Sequence, residues 1–188
     1  MRVISGQYRG LTLKTLRGGK LRPTSDQLRE TLFDVLGPSI EGTRFLDAYA
    51  GSGAVGIEAL SRGAADVVFV EAHRPAAQLI RQNLARLKID SGYWILTSSV
   101  VDGLEKLGEQ GEQFDLVFID PPYESIRDYH QSLRELGRGR LLMPSSLVIA
   151  EHSRHVILEE EYAGLRRTRT IRHGDAQLSF YRLGSSAP

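Results

Sequence analysis

Five short apolar runs recur along this chain, each pair separated by room for one helix, and that rhythm restricts the fold more than any other feature. The runs are Phe45-Leu46-Asp47-Ala48, Asp66 to Glu71, Tyr93-Trp94-Ile95-Leu96, Phe114 to Ile119 and Leu147 to Ala150. Between them, helical spacing is predicted over Ala54–Arg62 (ended by Gly63), over Pro75–Leu87, around Leu104 and over Tyr129–Leu136. Strands that are almost wholly apolar and joined by helices belong to a parallel sheet covered on both faces, so the expected class is α/β. After Ala150 the rhythm changes. Leu165–Arg172 and Ala176–Leu183 flank the turn His173-Gly174-Asp175 and read as an antiparallel pair at one edge.

The N-terminus stands apart from this repeat. Val3 to Leu16 alternates loosely between glycines and reads as a short hairpin. Pro23-Thr24-Ser25-Asp26 reads as a helix start, with Thr24 or Ser25 as cap and Leu28, Leu32, Phe33, Val35 and Leu36 at helical spacing, until Gly37-Pro38 stops it. The division expected is a hairpin-and-helix extension over 1–40, an α/β domain over 41–184 and a frayed tail over 185–188. Phe33 and Trp94 are expected in the core.

Composition narrows the function classes. No apolar run reaches the length of a membrane span, and Met1-Arg2-Val3-Ile4-Ser5-Gly6 lacks the apolar stretch of a signal peptide. The chain has no cysteine, and its five histidines show no ligand spacing, so neither disulfides nor a metal site are expected. A cytoplasmic monomer is the expectation. The net charge of +1 is unevenly placed. Residues 1–36 hold seven Lys/Arg against three Asp/Glu, residues 152–188 hold six against four, and the middle is acidic. Basic flanks around an acidic centre suit a polyanion held at its ends, although any single arginine reads first as solvated surface.

Between the first strand and its helix lies Asp47-Ala48-Tyr49-Ala50-Gly51-Ser52-Gly53-Ala54-Val55-Gly56. Gly51, Gly53 and Gly56 make a GxGxxG, and Glu71 follows at the end of the next strand. In open parallel sheets, ligands bind beyond the carboxyl ends of the strands, and an acid at Glu71 is placed for ribose hydroxyls. The pattern indicates an adenosine-type cofactor. A dinucleotide would bring a pyrophosphate to the helix N-terminus. S-adenosylmethionine carries a sulfonium and an ammonium instead, and the carboxylate of Asp47 suits those cations while repelling a pyrophosphate. Taken alone, Asp47 also reads as a helix-capping carboxylate and Glu71 as a solvated strand end.

Asp120-Pro121-Pro122-Tyr123 closes the fourth strand. The prolines fix φ and offer only carbonyl acceptors, Asp120 adds carboxylate oxygens, and Tyr123 adds a flat face. These suit a planar ring bearing an exocyclic NH2. A plain Pro-Pro turn after a core strand is the competing interpretation.

Asp47-Ala48-Tyr49-Ala50-Gly51-Ser52-Gly53 resembles motif I of class I methyltransferases, and Asp120-Pro121-Pro122-Tyr123 resembles their amino-methylating (D/N)PP(Y/F) motif. Arg2-Val3-Ile4-Ser5-Gly6, Arg9-Gly10, Arg22-Pro23-Thr24-Ser25-Asp26 and Arg29-Glu30-Thr31-Leu32-Phe33 resemble the opening of the RsmD family, which methylates guanine N2 in 16S ribosomal RNA. The resemblance runs out to Glu151-His152-Ser153. It implies a Rossmann-like class I methyltransferase sheet with S-adenosyl-L-methionine as cofactor and 16S rRNA, in an assembling small subunit, as partner. It places the cofactor on Asp47, Tyr49, Ala50, Gly51, Ser52, Gly53, Glu71 and Ala72, with Pro23 and Thr24 closing over it. The acid that such families often carry after strand three is absent from Thr97-Ser98-Ser99-Val100-Val101-Asp102. Ser99 or Asp102 is left for the adenine, Asp102 reading also as an N-cap. Asp120, Pro121, Pro122 and Tyr123 are the expected catalytic corner.

The basic N-terminal residues Arg2, Arg9, Lys14, Arg17, Lys20 and Arg22 are the expected RNA contacts, and Tyr8 is placed to stack. Arg29 and Glu30 read first as a local helix ion pair. His152 follows a strand end and reads first as a satisfied core histidine. Three alternatives remain open. One is an amino-methyltransferase acting on DNA adenine N6, cytosine N4 or a protein glutamine. Another is a nicotinamide-dependent oxidoreductase, for which no hydride-transfer constellation is visible. The third is a catalytically silent RNA-binding module.

Overall fold

In the computed structural model, residues 1–15, 26–122 and 125–184 are described. The chain divides into two compact units, Met1–Ser99 and Val100–Pro188. The first unit contains α1 (Asp26–Leu36), β1 (Arg44–Ala48), α2 (Ala54–Ser61), β2 (Asp66–Val70), α3 (Arg74–Arg86) and β3 (Tyr93–Leu96). Its strands are parallel in the order β3-β2-β1, with Asp47 beside Phe69 and Ala48 beside Val70. Phe45, Leu46, Val67 and Phe69 are fully buried, as runs covered on both faces must be. Leu28, Leu32, Phe33 and Leu36 form the buried stripe of α1. The helix ends in a 3-10 turn at Gly37–Ile40, where Gly37-Pro38 was expected to stop it. The expected cap at Thr24 or Ser25 lies outside the described residues.

Trp94 departs from expectation. It is 37% exposed rather than core, because β3 pairs only with β2 and is an outer strand of its unit. Outer strands present one side chain in two to water even when the run reads as apolar.

The N-terminal hairpin reduces to one bridge, Arg2 to Thr12, closed by backbone hydrogen bonds between Val3 and Leu11 and between Gly10 and Val3. It is fastened to α2. The carboxylate of Glu58, fully buried, accepts the N–H groups of Ile4 and Ser5 at 2.8 and 2.9 Å. Arg62 donates to the same carboxylate at 2.8 Å, and Arg29 lies 3.8 Å away. Arg29 also donates to the Arg2 carbonyl at 2.5 Å and to Asp26 at 3.0 Å, so its local partner is Asp26. Removing a buried carboxylate that holds two chain segments leaves several donors unsatisfied at once.

The second unit contains α4 (Val100–Glu109), β4 (Phe114–Ile119), α5 (Ile126–Arg138), β5 (Leu142–Ser153), β6 (Glu161–Tyr162), β7 (Leu165–His173) and β8 (Ala176–Leu183). The strand order is β4-β5-β8-β7-β6. Only β4 and β5 run parallel, and the rest are antiparallel, including the expected β7–β8 pair. β5 is much longer than the predicted Leu147–Ala150. Its first half contains Pro144, which cannot donate to a ladder, and a register shift falls between Phe114 and Leu116. The buried Ser146 hydroxyl bridges the irregularity, accepting from Met143 N–H at 2.8 Å and donating to the Phe114 carbonyl at 2.7 Å. Among the described residues, no helix is long and apolar enough to cross a membrane.

Candidate active site

The glycine loop begins where β1 ends. Asp47 is buried, and one carboxylate oxygen accepts the Gly56 N–H at 2.8 Å. Gly56 is the third residue of α2, so this acid caps the helix from outside it, where the N-cap residue Gly53 has no side chain to do so. Burial raises the Asp47 carboxyl to about 8, against the Gly56 hydrogen bond that lowers it, with the nearby charge of Glu71 adding to the rise. A bound cation beside Asp47 would favour its ionised form.

Glu71 follows β2, and its two carboxylate oxygens each accept a backbone N–H at 2.7 Å, from Gly51 and from His73. It thereby ties the loop to the end of the neighbouring strand. A carboxylate has about four lone-pair sites, and Glu71 is only half-buried, so acceptor capacity remains for a diol. The loop itself turns through Tyr49 at φ 65°, Gly51 at 56° and Gly53 at 77°. Gly56 is needed for another reason. A Cβ there would lie 2.3 Å from a ring carbon of Phe69, so glycine lets α2 pack on β2. Ala50 N–H donates to the Val70 carbonyl at 3.0 Å.

Sequence reasoning missed Asn83. This fully buried residue of α3 donates to the Ser52 carbonyl at 3.0 Å and to the Lys14 carbonyl at 3.1 Å, and accepts Lys14 N–H at 2.8 Å. It joins the glycine loop to the chain leaving the N-terminal hairpin. The available signal was a single polar residue on the apolar stripe of α3, between Ile80 and Leu84. Ala72 and Ser99 are exposed. Asp102, also exposed, is the third residue of α4, in its first turn rather than at its N-cap. Pro23 and Thr24 lie outside the described residues.

In the second unit, Asp120 follows β4 and is half-buried, Pro121 is buried and Pro122 is exposed. The corner is braced from α5. Tyr129, fully buried, donates its hydroxyl to the Pro121 carbonyl at 3.1 Å, and Ser125 N–H donates to the Pro122 carbonyl at 2.8 Å. Tyr129 was also missed. It was read as the start of a helix, and its hydroxyl partner is visible only in three dimensions. Its ring meets His152 edge-on, with centroids 6.3 Å apart. His152 is a satisfied core histidine. Its ring nitrogens face the Ser153 carbonyl at 2.9 Å and the Ser179 hydroxyl at 2.8 Å, and burial lowers its pKa. Tyr123 lies outside the described residues, as do Arg17, Lys20 and Arg22. Arg2, Arg9 and Lys14 are exposed. Among the described residues, no group of three His, Cys, Asp or Glu side chains is placed to hold a metal.

Parallel strands with a glycine loop after β1, an acid after β2 and an acid-Pro-Pro corner after β4 define a Rossmann-like protein of the class I methyltransferase type. The solved structure of yhhF from Escherichia coli is similar over 99% of both chains, with a TM-score of 0.86 and 30% identity. YlbH of Bacillus subtilis, whose name assigns it provisionally to the rRNA methyltransferases, is 34% identical over 182 residues, 97% of this chain and 98% of that one. Ribosomal RNA small subunit methyltransferase D of Haemophilus influenzae is 38% identical over 152 residues, 80% of this chain and 78% of its own. The family described as "Conserved hypothetical protein 95" matches residues 1–182. The chain belongs to that family, the RsmD family of methyltransferases.

Proposed function

We propose that this protein transfers the methyl group of S-adenosyl-L-methionine to the exocyclic N2 amine of a guanine in 16S ribosomal RNA. The observation that carries the reading is the acid-Pro-Pro corner at the end of β4, held rigid by Tyr129, in a chain of the RsmD family. The names of its relatives, ribosomal RNA small subunit methyltransferases, support an rRNA substrate.

The glycine loop fits this cofactor better than a dinucleotide. The α2 donor at Gly56 is already occupied by Asp47, a buried acid, which opposes a pyrophosphate and favours a cationic amino-acid tail. Glu71 would accept the ribose hydroxyls. Tyr49, Ala50, Gly51, Ser52, Gly53 and Ala72 would line the same ligand, Ser99 or Asp102 would face the adenine, and Pro23 and Thr24 would close over it. When bound, the cofactor supplies a methyl group made electrophilic by its sulfonium.

The protein's task is then to present a poor nucleophile. The guanine N2 lone pair is delocalised into the ring. In this reading Asp120 and the Pro121 carbonyl accept the two N–H bonds of the amine, which directs its lone pair along the methyl-transfer line. Tyr129 uses one lone pair of the Pro121 carbonyl and leaves the other for the base. Tyr123 stacks on the ring. Transfer would form the new N–C bond as the S–C bond broke, and the proton released from nitrogen would pass to Asp120 and then to water. Orientation of this kind is worth about 7–11 kcal/mol in favourable cases. The base must leave its stack to reach the corner. The exposed Arg2, Arg9 and Lys14, with Arg17, Lys20 and Arg22, would meet phosphates.

The test is methyl transfer from labelled S-adenosylmethionine to 16S rRNA and to small subunits, followed by nucleoside analysis. The expected product is N2-methylguanosine. Label on adenine, on cytosine or only on protein would overturn the assignment.

A further inference from the structure

β7 carries Arg166, Arg167, Arg169 and Arg172 within seven residues, and β8 adds Arg182. Only Arg167 is drawn into the fold. It is half-buried, paired with Glu160, and donates to the Leu158 carbonyl at 3.3 Å. The other four are exposed. Arg166 stands directly opposite Arg182 in the ladder, a like-charge pair that disfavours the hairpin. Arg166 is offset by the exposed Glu161 at 2.7 Å, and Arg182 only by the Ser145 and Ser146 carbonyls. Arg169 lies over the Phe180 ring at 5.9 Å. Neither Arg169 nor Arg172 has an acidic partner within salt-bridge distance among the described residues. β6 pairs with β7 only at Leu165 and Arg166, so from Thr168 to His173 β7 has no further strand beside it among the described residues.

The position of this surface in its unit is fixed by register. Ile119, next to Asp120, pairs with Ala150, Ala150 pairs with Ser179, and Ser179 pairs with Thr170. At about 4.8 Å per strand, Thr170 lies roughly 14 Å across the sheet from the end of β4. Arg169 and Arg172 flank that row on opposite faces of the sheet, both on the edge strand β7. A single strand leaving a base at the Asp120 corner could reach this distance within a few nucleotides. The concentration of guanidinium groups, without lysine, matches phosphate oxygens in particular.

We propose that the exposed arginines of the β7–β8 hairpin, Arg169 and Arg172 foremost, form a phosphate-binding rim along the open edge of β7, where side chains of both faces reach the RNA flanking the target base. This second contact is separate from the basic N-terminal segment, and it rests on the rRNA-methylating reading above. The competing role for such residues is to guard an open strand edge against pairing with other chains.

The test compares R169Q/R172Q with R169K/R172K and with R172Q alone. The readouts are melting temperature, S-adenosylmethionine affinity, steady-state kinetics on 16S rRNA and the salt dependence of RNA binding. Loss of two phosphate contacts is expected to raise KM for RNA about tenfold and to flatten the slope of log affinity against log salt by about 1.4. Cofactor affinity and kcat should be unchanged. The lysine pair should recover the slope, and R172Q should show about half the effect if the double variant folds poorly. Variants that aggregate but keep wild-type KM and slope would assign the arginines to edge protection and overturn the proposal. Wild-type protein that neither methylates nor binds rRNA would remove the underlying reading as well, which separates the two failures.

Discussion

The glycine loop of the first unit and the Pro-Pro corner of the second are both strand-end turns, yet they are held in opposite ways. The loop is fixed mainly by side-chain acceptors reaching backbone donors, Asp47 to Gly56 and Glu71 to Gly51 and His73, with the Asn83 amide donating to the Ser52 carbonyl and accepting from Lys14 N–H. The corner is fixed by the rings of its prolines and by donors reaching its backbone acceptors, the Tyr129 hydroxyl to the Pro121 carbonyl and the Ser125 N–H to the Pro122 carbonyl. On the proposed function, a loop that shows backbone and carboxylates to a cation can use the same carboxylates for its own rigidity. On the same proposal, a corner that shows acceptors to an amine gains its rigidity from proline rings and from donors to its backbone carbonyls. The two regions should therefore fail differently when altered.

The largest effect is expected at the corner. Asp120→Ala should lower kcat by about a hundred- to ten-thousandfold, the span of a positioned acid–base group, while S-adenosylmethionine affinity measured by calorimetry stays near wild type. Retained turnover would remove Asp120 from the chemistry. Glu71→Gln should show the converse. Cofactor affinity is expected to fall roughly ten- to a hundredfold, as for loss of a hydrogen bond to a charged group, with kcat at saturating cofactor little changed. If both variants reduced the same parameter, the contrast between the two regions would dissolve.

Tyr129→Phe should be milder. Loss of one buried hydrogen bond amounts to about 0.5–1.5 kcal/mol, or roughly two- to tenfold in kcat, without a change in cofactor affinity. A drop in melting temperature with unaltered kcat would make Tyr129 a fold residue only. A further effect concerns pH and stability rather than turnover. The Asp47 carboxyl is raised to about 8 in the folded protein, far above the usual carboxylate range. A raised acid contributes stability that is complete below its unfolded pKa and is lost as pH climbs through its folded one. The ligand-free protein should thus lose stability between about pH 4 and pH 8, and Asp47→Asn, which keeps an acceptor for Gly56, should flatten that slope. Added S-adenosylmethionine should oppose the loss. An identical pH profile in Asp47→Asn would show that the acid is not the source.

The parts of this architecture that rest on apolar runs were legible before any coordinate. β1, β2 and β4 fall within a residue of their predicted limits, because burial on both faces leaves little but Val, Ile, Leu and Phe, and the bounds of β3 agree as well although only Leu96 in it is buried. The glycine loop was equally visible, since positive φ and the approach of α2 to Phe69 demand glycine at fixed positions. Tertiary exceptions were not. Trp94 looks like core until β3 is seen as an outer strand. Pro144-Ser145-Ser146 looks like a break until Ser146 is found replacing the missing ladder bonds. Asn83 and Tyr129 act through side-chain hydrogen bonds to backbone groups 8 to 69 residues away, which leave no periodicity to read. Glu58 and Arg29 likewise hold the N-terminal hairpin through contacts more than 25 residues away in sequence.

The most direct measurement is a crystal structure with S-adenosylhomocysteine bound, a ligand that keeps the ribose and sulfur while lacking the methyl group. The expected result is a ribose diol on Glu71, an amino-acid tail near Asp47, and a sulfur directed toward Asp120. A ligand seated elsewhere, or on Glu71 with its sulfur turned away from Asp120, would contradict the division of labour between loop and corner.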